Sequence, residues 1–151
     1  MRRVSLSWAD IEQDCALLAD QIKFCDVILA LGRGGLVPSV MLSHFLDCKV
    51  VNFGLKSYLN EQAGNIAVTQ PPGIHFNSKF RDKKVLVVDD LSDKGTTLAY
   101  VREYLVTHEF DFYRFATLYI KSSTKFTPTY YVKEFDDNIW LDFPWEISKI
   151  E

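Results

Sequence analysis

Two adjacent carboxylates, Asp89 and Asp90, follow the apolar run Val85-Leu86-Val87-Val88 and precede Leu91-Ser92-Asp93-Lys94-Gly95-Thr96-Thr97-Leu98. Like charges side by side at the end of a hydrophobic strand cost energy unless cations or hydroxyl donors compensate them. The pair therefore reads as a site for sugar hydroxyls, a metal, or both. Gly95 permits close backbone approach, and Thr96 and Thr97 supply hydroxyls. A helix starting behind them offers unpaired N–H groups and its positive dipole end, which together favour a phosphate. No G-x-x-x-x-G-K-S/T occurs, so this is not a Walker A loop. The plain alternative is a solvated strand end with Thr96 as an ordinary helix cap; the ordered run of strand, acid pair, glycine and helix start weighs against it.

A second loop has matching chemistry. Val27-Ile28-Leu29-Ala30-Leu31 runs into Gly32-Arg33-Gly34-Gly35-Leu36-Val37-Pro38. Three glycines around one arginine let the backbone close on an anion while the guanidinium binds it as a planar fork, which suits a pyrophosphate. Taken alone, the run is equally a glycine-rich turn into the helix of Val40, Met41, Phe45 and Leu46.

The elements that must position these loops are legible in outline. Val27–Leu31 and Val85–Val88 are continuous apolar runs, the mark of central parallel strands covered on both faces. Loops at the carboxyl ends of such strands are where open α/β sheets bind ligands. Ser7 can cap a helix starting at Trp8, with Asp10 near its positive end and Ile11, Cys15, Leu18 and Ile22 on one face. Val50–Gly54 predicts a strand that Leu55-Lys56-Ser57-Tyr58 leads out of. From Asn60 to Asp82, glycines, prolines and asparagines interrupt any period, which suggests a lid or a loose hairpin. Leu98, Val101 and Leu105 continue a helix to about Thr107, Arg114–Ile120 is a buried-type strand ending at Lys121, and Tyr130–Val132 and Ile139–Leu141 read as short strands.

The chain has 151 residues, 48% hydrophobic and 25% charged, which fits one soluble globular domain. A net charge of −3 argues against a nucleic-acid binder. Cys15, Cys25 and Cys48 are irregularly spaced and odd in number, so buried reduced thiols in a cytoplasmic protein are expected. No apolar run approaches the length of a membrane span, and no export signal opens the chain.

V-V-D-D-L-S-D-K-G-T-T resembles the phosphoribosyl pyrophosphate (PRPP) signature of the type I phosphoribosyltransferases, in which two acids follow a hydrophobic strand and precede a phosphate loop. Lys94 departs from it, standing where the family usually has a small hydroxyl residue. G-R-G-G-L-V-P is similar to the pyrophosphate loop S-R-G-G-L-V-P of the bacterial and archaeal 6-oxopurine enzymes, with Gly32 replacing serine. Trp140-Leu141-Asp142-Phe143-Pro144-Trp145-Glu146 resembles their W-I-x-x-P-W-D/E tail.

The resemblance spans Trp8 to Glu146. It implies a single three-layer α/β phosphoribosyltransferase domain over residues 1–151, with a mainly parallel sheet, a flexible lid at about 57–82 beginning at Ser57-Tyr58, and a small C-terminal base-binding hood at about 121–151. The implied reaction displaces pyrophosphate from PRPP with guanine, xanthine or hypoxanthine. PRPP would be held by Arg33, Gly34, Asp89, Asp90, Asp93, Lys94, Gly95, Thr96 and Thr97. Asp93 would receive the purine N7 proton, and Mg²⁺ would be met by Asp89 and Glu146. Lys121 would donate to the purine O6, Trp140 would stack on the base, and Leu141 would meet its edge through the backbone. By itself the C-terminal aromatic run reads as core, and Trp145 is still assigned to packing. The family forms homodimers or homotetramers, which is the assembly expected here. The competing readings are a PRPP-sensing regulator without catalysis and a phosphoacceptor receiver suggested by V-V-D-D. The immediate Gly-Thr-Thr loop speaks against the receiver.

Overall fold

The computed structural model describes residues 1–57 and 65–147. Its elements in chain order are β1 (Arg2–Ser5), α1 (Trp8–Ile22), β2 (Val27–Gly32), α2 (Leu36–Leu46), β3 (Lys49–Ser57), β4 (Ile66–Gln70), α3 (Ile74–Phe80), β5 (Lys84–Ser92), α4 (Thr96–Thr107), β6 (Phe112–Lys121), β7 (Lys133–Phe135) and β8 (Ile139–Asp142). A six-stranded sheet has the order β4-β3-β2-β5-β6-β7, and β1 and β8 form a separate two-stranded sheet. Every pairing in the large sheet is parallel except β3 with β4.

The continuous apolar runs are explained by helices on both faces. Along β2 and β5, Ile28, Leu86 and Val88 join Ile11, Cys15, Leu18 and Ile22 of α1 and Leu42 of α2 in one core. Val27, Leu29, Leu31, Val85 and Val87 point the other way, against Phe76 and Phe80 of α3 and Leu98, Val101 and Leu105 of α4. Each fully buried aliphatic side chain contributes about 1.5–3 kcal/mol through loss of water contact. The result is the expected three-layer α/β fold.

Helix α1 begins as its sequence dictates. Ser7 Oγ accepts the Asp10 N–H at 3.0 Å while the Asp10 carboxylate accepts the Ser7 N–H at 2.8 Å, a reciprocal capping box. Helix α2 buries Pro38, Ser39 and Leu42 and packs Met41 and Leu46 against the core, whereas Val40 and Phe45 are half exposed.

Several boundaries need correction. Leu55 to Ser57 belong to β3 rather than leading out of it, because β4 pairs with them antiparallel and satisfies their backbone. The irregular stretch does not run to Asp82: α3 anchors residues 74–80 through Phe76 and Phe80. This leaves β4, which buries none of its residues, as the part free of core contacts of that kind. Tyr130 to Val132 is not a strand; only Tyr130 makes an isolated bridge, to Ala116, and regular pairing resumes at Lys133. The hood is not purely C-terminal either, since β8 pairs with β1 from the first residues of the chain.

Two buried features lie outside the crevice. Cys25 Sγ and Cys48 Sγ lie 3.6 Å apart as free thiols. Burial pushes the Cys15 thiol up to about 12, so it stays protonated at neutral pH. No helix among the described residues is long and apolar enough to cross a membrane.

Asp14, on the inner face of α1, is a buried acid that nothing in its neighbours along the chain singles out. It accepts the Tyr119 hydroxyl at 2.5 Å and pairs with Lys133 Nζ at 3.4 Å. Tyr119→Phe would leave this buried carboxylate short of a donor. It should lower unfolding stability by about 1–3 kcal/mol in urea titrations; an unchanged midpoint would show the pair to be energetically neutral.

Candidate active site

The site forms where the sheet reverses its winding. Strand β2 connects through α2 to β3 on one side, whereas β5 connects through α4 to β6 on the other, so the carboxyl ends of β2 and β5 frame a crevice. The two strands pair from Val27↔Val85 to Ala30↔Val88 and then part. Strand β5 continues alongside β6 to Ser92, so Asp89 and Asp90 lie on a strand that has just lost its β2 neighbour. The sequence placed the strand end at Val88; what ends there is one of its two pairings.

The glycine-rich turn occupies the gap. Gly35 N–H donates to the Leu31 carbonyl at 2.8 Å and Leu36 N–H to the Arg33 carbonyl at 3.0 Å, folding the chain back into α2. The Gly32–Arg33 peptide is cis. Gly34 lies so close to Asp90 that a Cβ there would meet its carboxylate at 2.5 Å. Leu31, Gly32, Arg33, Gly34, Leu55, Ser57, Asp89, Asp90 and Thr97 surround a cavity of ≈ 260 Å³. A larger cavity of ≈ 880 Å³ shares Gly32, Arg33 and Gly34 and extends past Asn52, Thr69 and Gln70 to Trp145 and Glu146.

The electrostatics are those of two carboxylates taken out of water side by side. Burial first, and then the Asp90 charge, pushes the Asp89 carboxyl well above the usual carboxylate range. Burial also raises Asp90. Asp89 Oδ1 accepts the Asp90 N–H at 2.8 Å, which holds the two acids in register. Glu146 is raised as well, by burial and then by the charges of Asp90 and Asp142, which brings the C-terminal acid into the same field.

The phosphate-loop residues are braced from behind. Gly95 adopts φ +90° as the N-cap of α4, and a Cβ on it would meet Phe126 at 2.7 Å. Its glycine thus serves a left-handed turn and a packing contact as well as any ligand. Ser92 Oγ donates to the Phe126 carbonyl at 2.8 Å, and Lys125 N–H donates to the Lys94 carbonyl at 3.2 Å. Among the described residues no side chain caps α4, whose first turn reaches the smaller cavity through Thr97. Asp93 and Lys94 are exposed at the loop's tip and line neither cavity, whereas Thr97 does.

The hood residues form a second group. Lys121, buried at the end of β6, donates from Nζ to the Ile139 carbonyl, joining the main sheet to β8. The Leu141 side chain is buried in the core, leaving its backbone as the available face, while Trp140 is 49% exposed. Trp145 stacks on Phe143 at 4.8 Å and approaches Trp8 at 6.1 Å, consistent with a packing role for both tryptophans. Tyr58 lies outside the described residues; Ser57 lines the smaller cavity.

Asn52, Thr69 and Gln70 are site-lining residues that sequence reasoning missed. Asn52 Nδ2 donates to Gln70 Oε1 at 2.5 Å, tying β3 to β4, while its buried Oδ1 has no partner among the described residues. The signal was there: an asparagine interrupts the otherwise apolar Val50-Val51-Asn52-Phe53.

A doubly wound α/β sheet carries an acid pair facing a glycine-rich turn at its switch point, the place where open α/β sheets bind their ligands. The chain belongs to the phosphoribosyltransferase family, whose phosphoribosyl transferase domain model matches residues 6–150. It is 30% identical over 150 residues to the xanthine-guanine phosphoribosyltransferase of Chromohalobacter salexigens, covering 97% of this chain and 86% of the relative. The purine phosphoribosyltransferase of Pyrococcus horikoshii superposes with a TM-score of 0.84 at 35% identity over 100% of this chain and 99% of the other. The Helicobacter pylori xanthine-guanine-hypoxanthine enzyme shares the fold, with a TM-score of 0.80 at 23% identity over 97% and 95% of the two chains.

Asp89→Asn removes one charge from this desolvated pair and keeps an oxygen for the Asp90 N–H. It should raise the stability of the ligand-free protein by about 1–2 kcal/mol, a melting-temperature gain of about 2–6 °C. A lower melting temperature would show that the pair stabilises the empty fold.

Proposed function

We propose that this chain is a 6-oxopurine phosphoribosyltransferase of purine salvage. It joins guanine, xanthine or hypoxanthine to PRPP, giving the nucleoside 5′-monophosphate and pyrophosphate. The observation that carries the reading is the meeting of the Arg33-Gly34-Gly35 turn with Asp90 at the switch point, which sets a pyrophosphate-type anion loop directly against a diol-binding acid pair.

Each part has a role. Asp89 and Asp90 hold the ribose hydroxyls, and the amides of Lys94 to Thr97 with the Thr96 and Thr97 hydroxyls hold the 5′-phosphate at the uncapped start of α4. The C1′–N9 bond forms as the bond from C1′ to the pyrophosphate oxygen breaks. Arg33 and the Gly34 N–H receive the charge that develops on the leaving group. Asp93, at the loop mouth, takes the N7 proton of the purine. Ser57 and Tyr58 begin the lid that excludes water from the cationic ribose.

Lys121 decides which purine enters. An ammonium donates to an oxo group and repels an amino group, so it selects 6-oxopurines over adenine. Trp140 stacks on the ring and the Leu141 backbone meets its edge.

The carboxylates fit Mg²⁺. Desolvated, mutually repelling oxygen donors at Asp89 and Asp90, with Glu146 raised in the same field, suit a hard cation. No cluster of three or more His, Cys, Asp or Glu stands among the described residues, so substrate oxygens and water would complete the shell. When bound, the ion neutralises pyrophosphate charge.

The free thiols suit the cytoplasm. Half-exposed Val40 and Phe45 on α2 suit association as a homodimer or homotetramer. Lys121 and Trp140 speak for catalysis over a PRPP-sensing regulator, since a sensor needs no base pocket.

The test is pyrophosphate release with PRPP and Mg²⁺ and each of guanine, xanthine, hypoxanthine and adenine. Release with a 6-oxopurine and none with adenine is expected; silence with all four would overturn the reading. Asp93→Asn should cut kcat by about 100-fold and leave the PRPP KM within about twofold. An unchanged kcat would remove Asp93 from proton transfer.

A further inference from the structure

The hood is built on a strand from the opposite end of the chain. β1 and β8 pair in parallel with Arg3↔Trp140 and Val4↔Leu141 in register. Strand alternation turns Val4 and Leu141 into the core and leaves Arg3, Trp140 and Asp142 together on the outer face. Arg3 Nε donates to Asp142 Oδ2 at 3.1 Å and Arg3 Nη2 to Asp142 Oδ1 at 3.0 Å, a fork on both carboxylate oxygens. The same guanidinium lies over the Trp140 ring, 5.9 Å from its centroid.

As a stabilising device this arrangement is weak. The pair is 66% and 33% exposed, and ion pairs in water add little to folding. A pair of four-residue strands is also marginal by itself. As a positioning device it is well made. Lys121 pins the first residue of β8 through the Ile139 carbonyl, and the Arg3–Asp142 fork pins the last. Trp140 and Leu141 lie between these two fixed points. The guanidinium lies on one side of an indole that is otherwise half exposed.

We propose that Arg3 and Asp142 are positioning residues for base recognition: they lock the Trp140 ring in place and make the N-terminal strand part of the purine site. The proposal rests on the reading of Trp140 as the stacking platform. The Asp142 carboxyl is held below the usual carboxylate range, first by its bond to Arg3, so the fork persists through the neutral range.

The experiment measures KM for guanine and for PRPP, with melting temperatures, in the full chain and in Arg3→Ala, Asp142→Asn, Arg3→Lys, the Arg3→Ala/Asp142→Asn double variant and Trp140→Ala. Arg3→Ala and Asp142→Asn should each raise the guanine KM about fivefold, leaving the PRPP KM within about twofold. The double variant should be no worse than either single one, because both act through one fork. Arg3→Lys keeps the charge without the planar fork and should recover little. A guanine KM that rises in Trp140→Ala but not in Arg3→Ala or Asp142→Asn would overturn the clamp and leave the platform standing. An unchanged KM in Trp140→Ala would overturn the platform and the clamp with it. Equal rises in both substrates' KM values, tracking a fall in melting temperature, would overturn positioning in favour of a merely structural contact.

Discussion

Two parallel strands that pair along their first halves and then part create the space everything else depends on. β2 and β5 are neighbours only as far as Ala30↔Val88. Beyond that point β2 folds back through glycines while β5 runs on beside β6, and backbone that would have been buried in a ladder becomes the floor of a crevice. The constraint is steric as much as electrostatic. A Cβ on Gly34 would meet the Asp90 carboxylate at 2.5 Å, so any side chain there must push that acid aside. The acids sit where burial raises both and the Asp90 charge raises Asp89 further, a local cost of the kind found at binding sites.

The loops on either side of the crevice are held from behind rather than by one another. The phosphate loop is braced by the chain at Thr124 to Phe126, through Ser92 and the close packing of Gly95 under Phe126. On the opposite side, the Asn52–Gln70 contact ties the hairpin to β3 beside the pyrophosphate turn. The proposed base-binding end is carried by elements remote in sequence: β6 carries Lys121, β8 carries Trp140 and Leu141, and β1 supplies the edge that β8 pairs with.

How much of this could be read from residues alone depended on the range of the interaction involved. The strands at Val27–Leu31 and Val85–Val88, the Ser7 cap and the helix of Leu98, Val101 and Leu105 are specified by local composition and period, and the structure places them as read. The acid pair and the glycine turn were legible because unusual residues sat at strand ends. What stayed hidden was non-local. Nothing in Arg2–Ser5 announces a strand whose partner lies more than a hundred residues on. Asp14 looks like any helical acid until Tyr119 arrives from β6. Composition misread residues 74–80, where Phe76 and Phe80 outweigh the polar neighbours that disguise a short helix. It also misread residues 130–132, where aromatic residues of high strand propensity meet only a single bridge.

The most direct test of the central claim is a thermal melt with and without PRPP and Mg²⁺, run on the intact chain and on Gly34→Ala. If the crevice between β2 and β5 is the PRPP site, saturating ligand at about 100 times its Kd stabilises the intact chain by about 2.7 kcal/mol. The variant, with a methyl group pressed against Asp90, loses that gain while still folding cooperatively. Equal ligand-induced stabilisation of both proteins, or none in the intact chain, would contradict the placement of PRPP in this crevice.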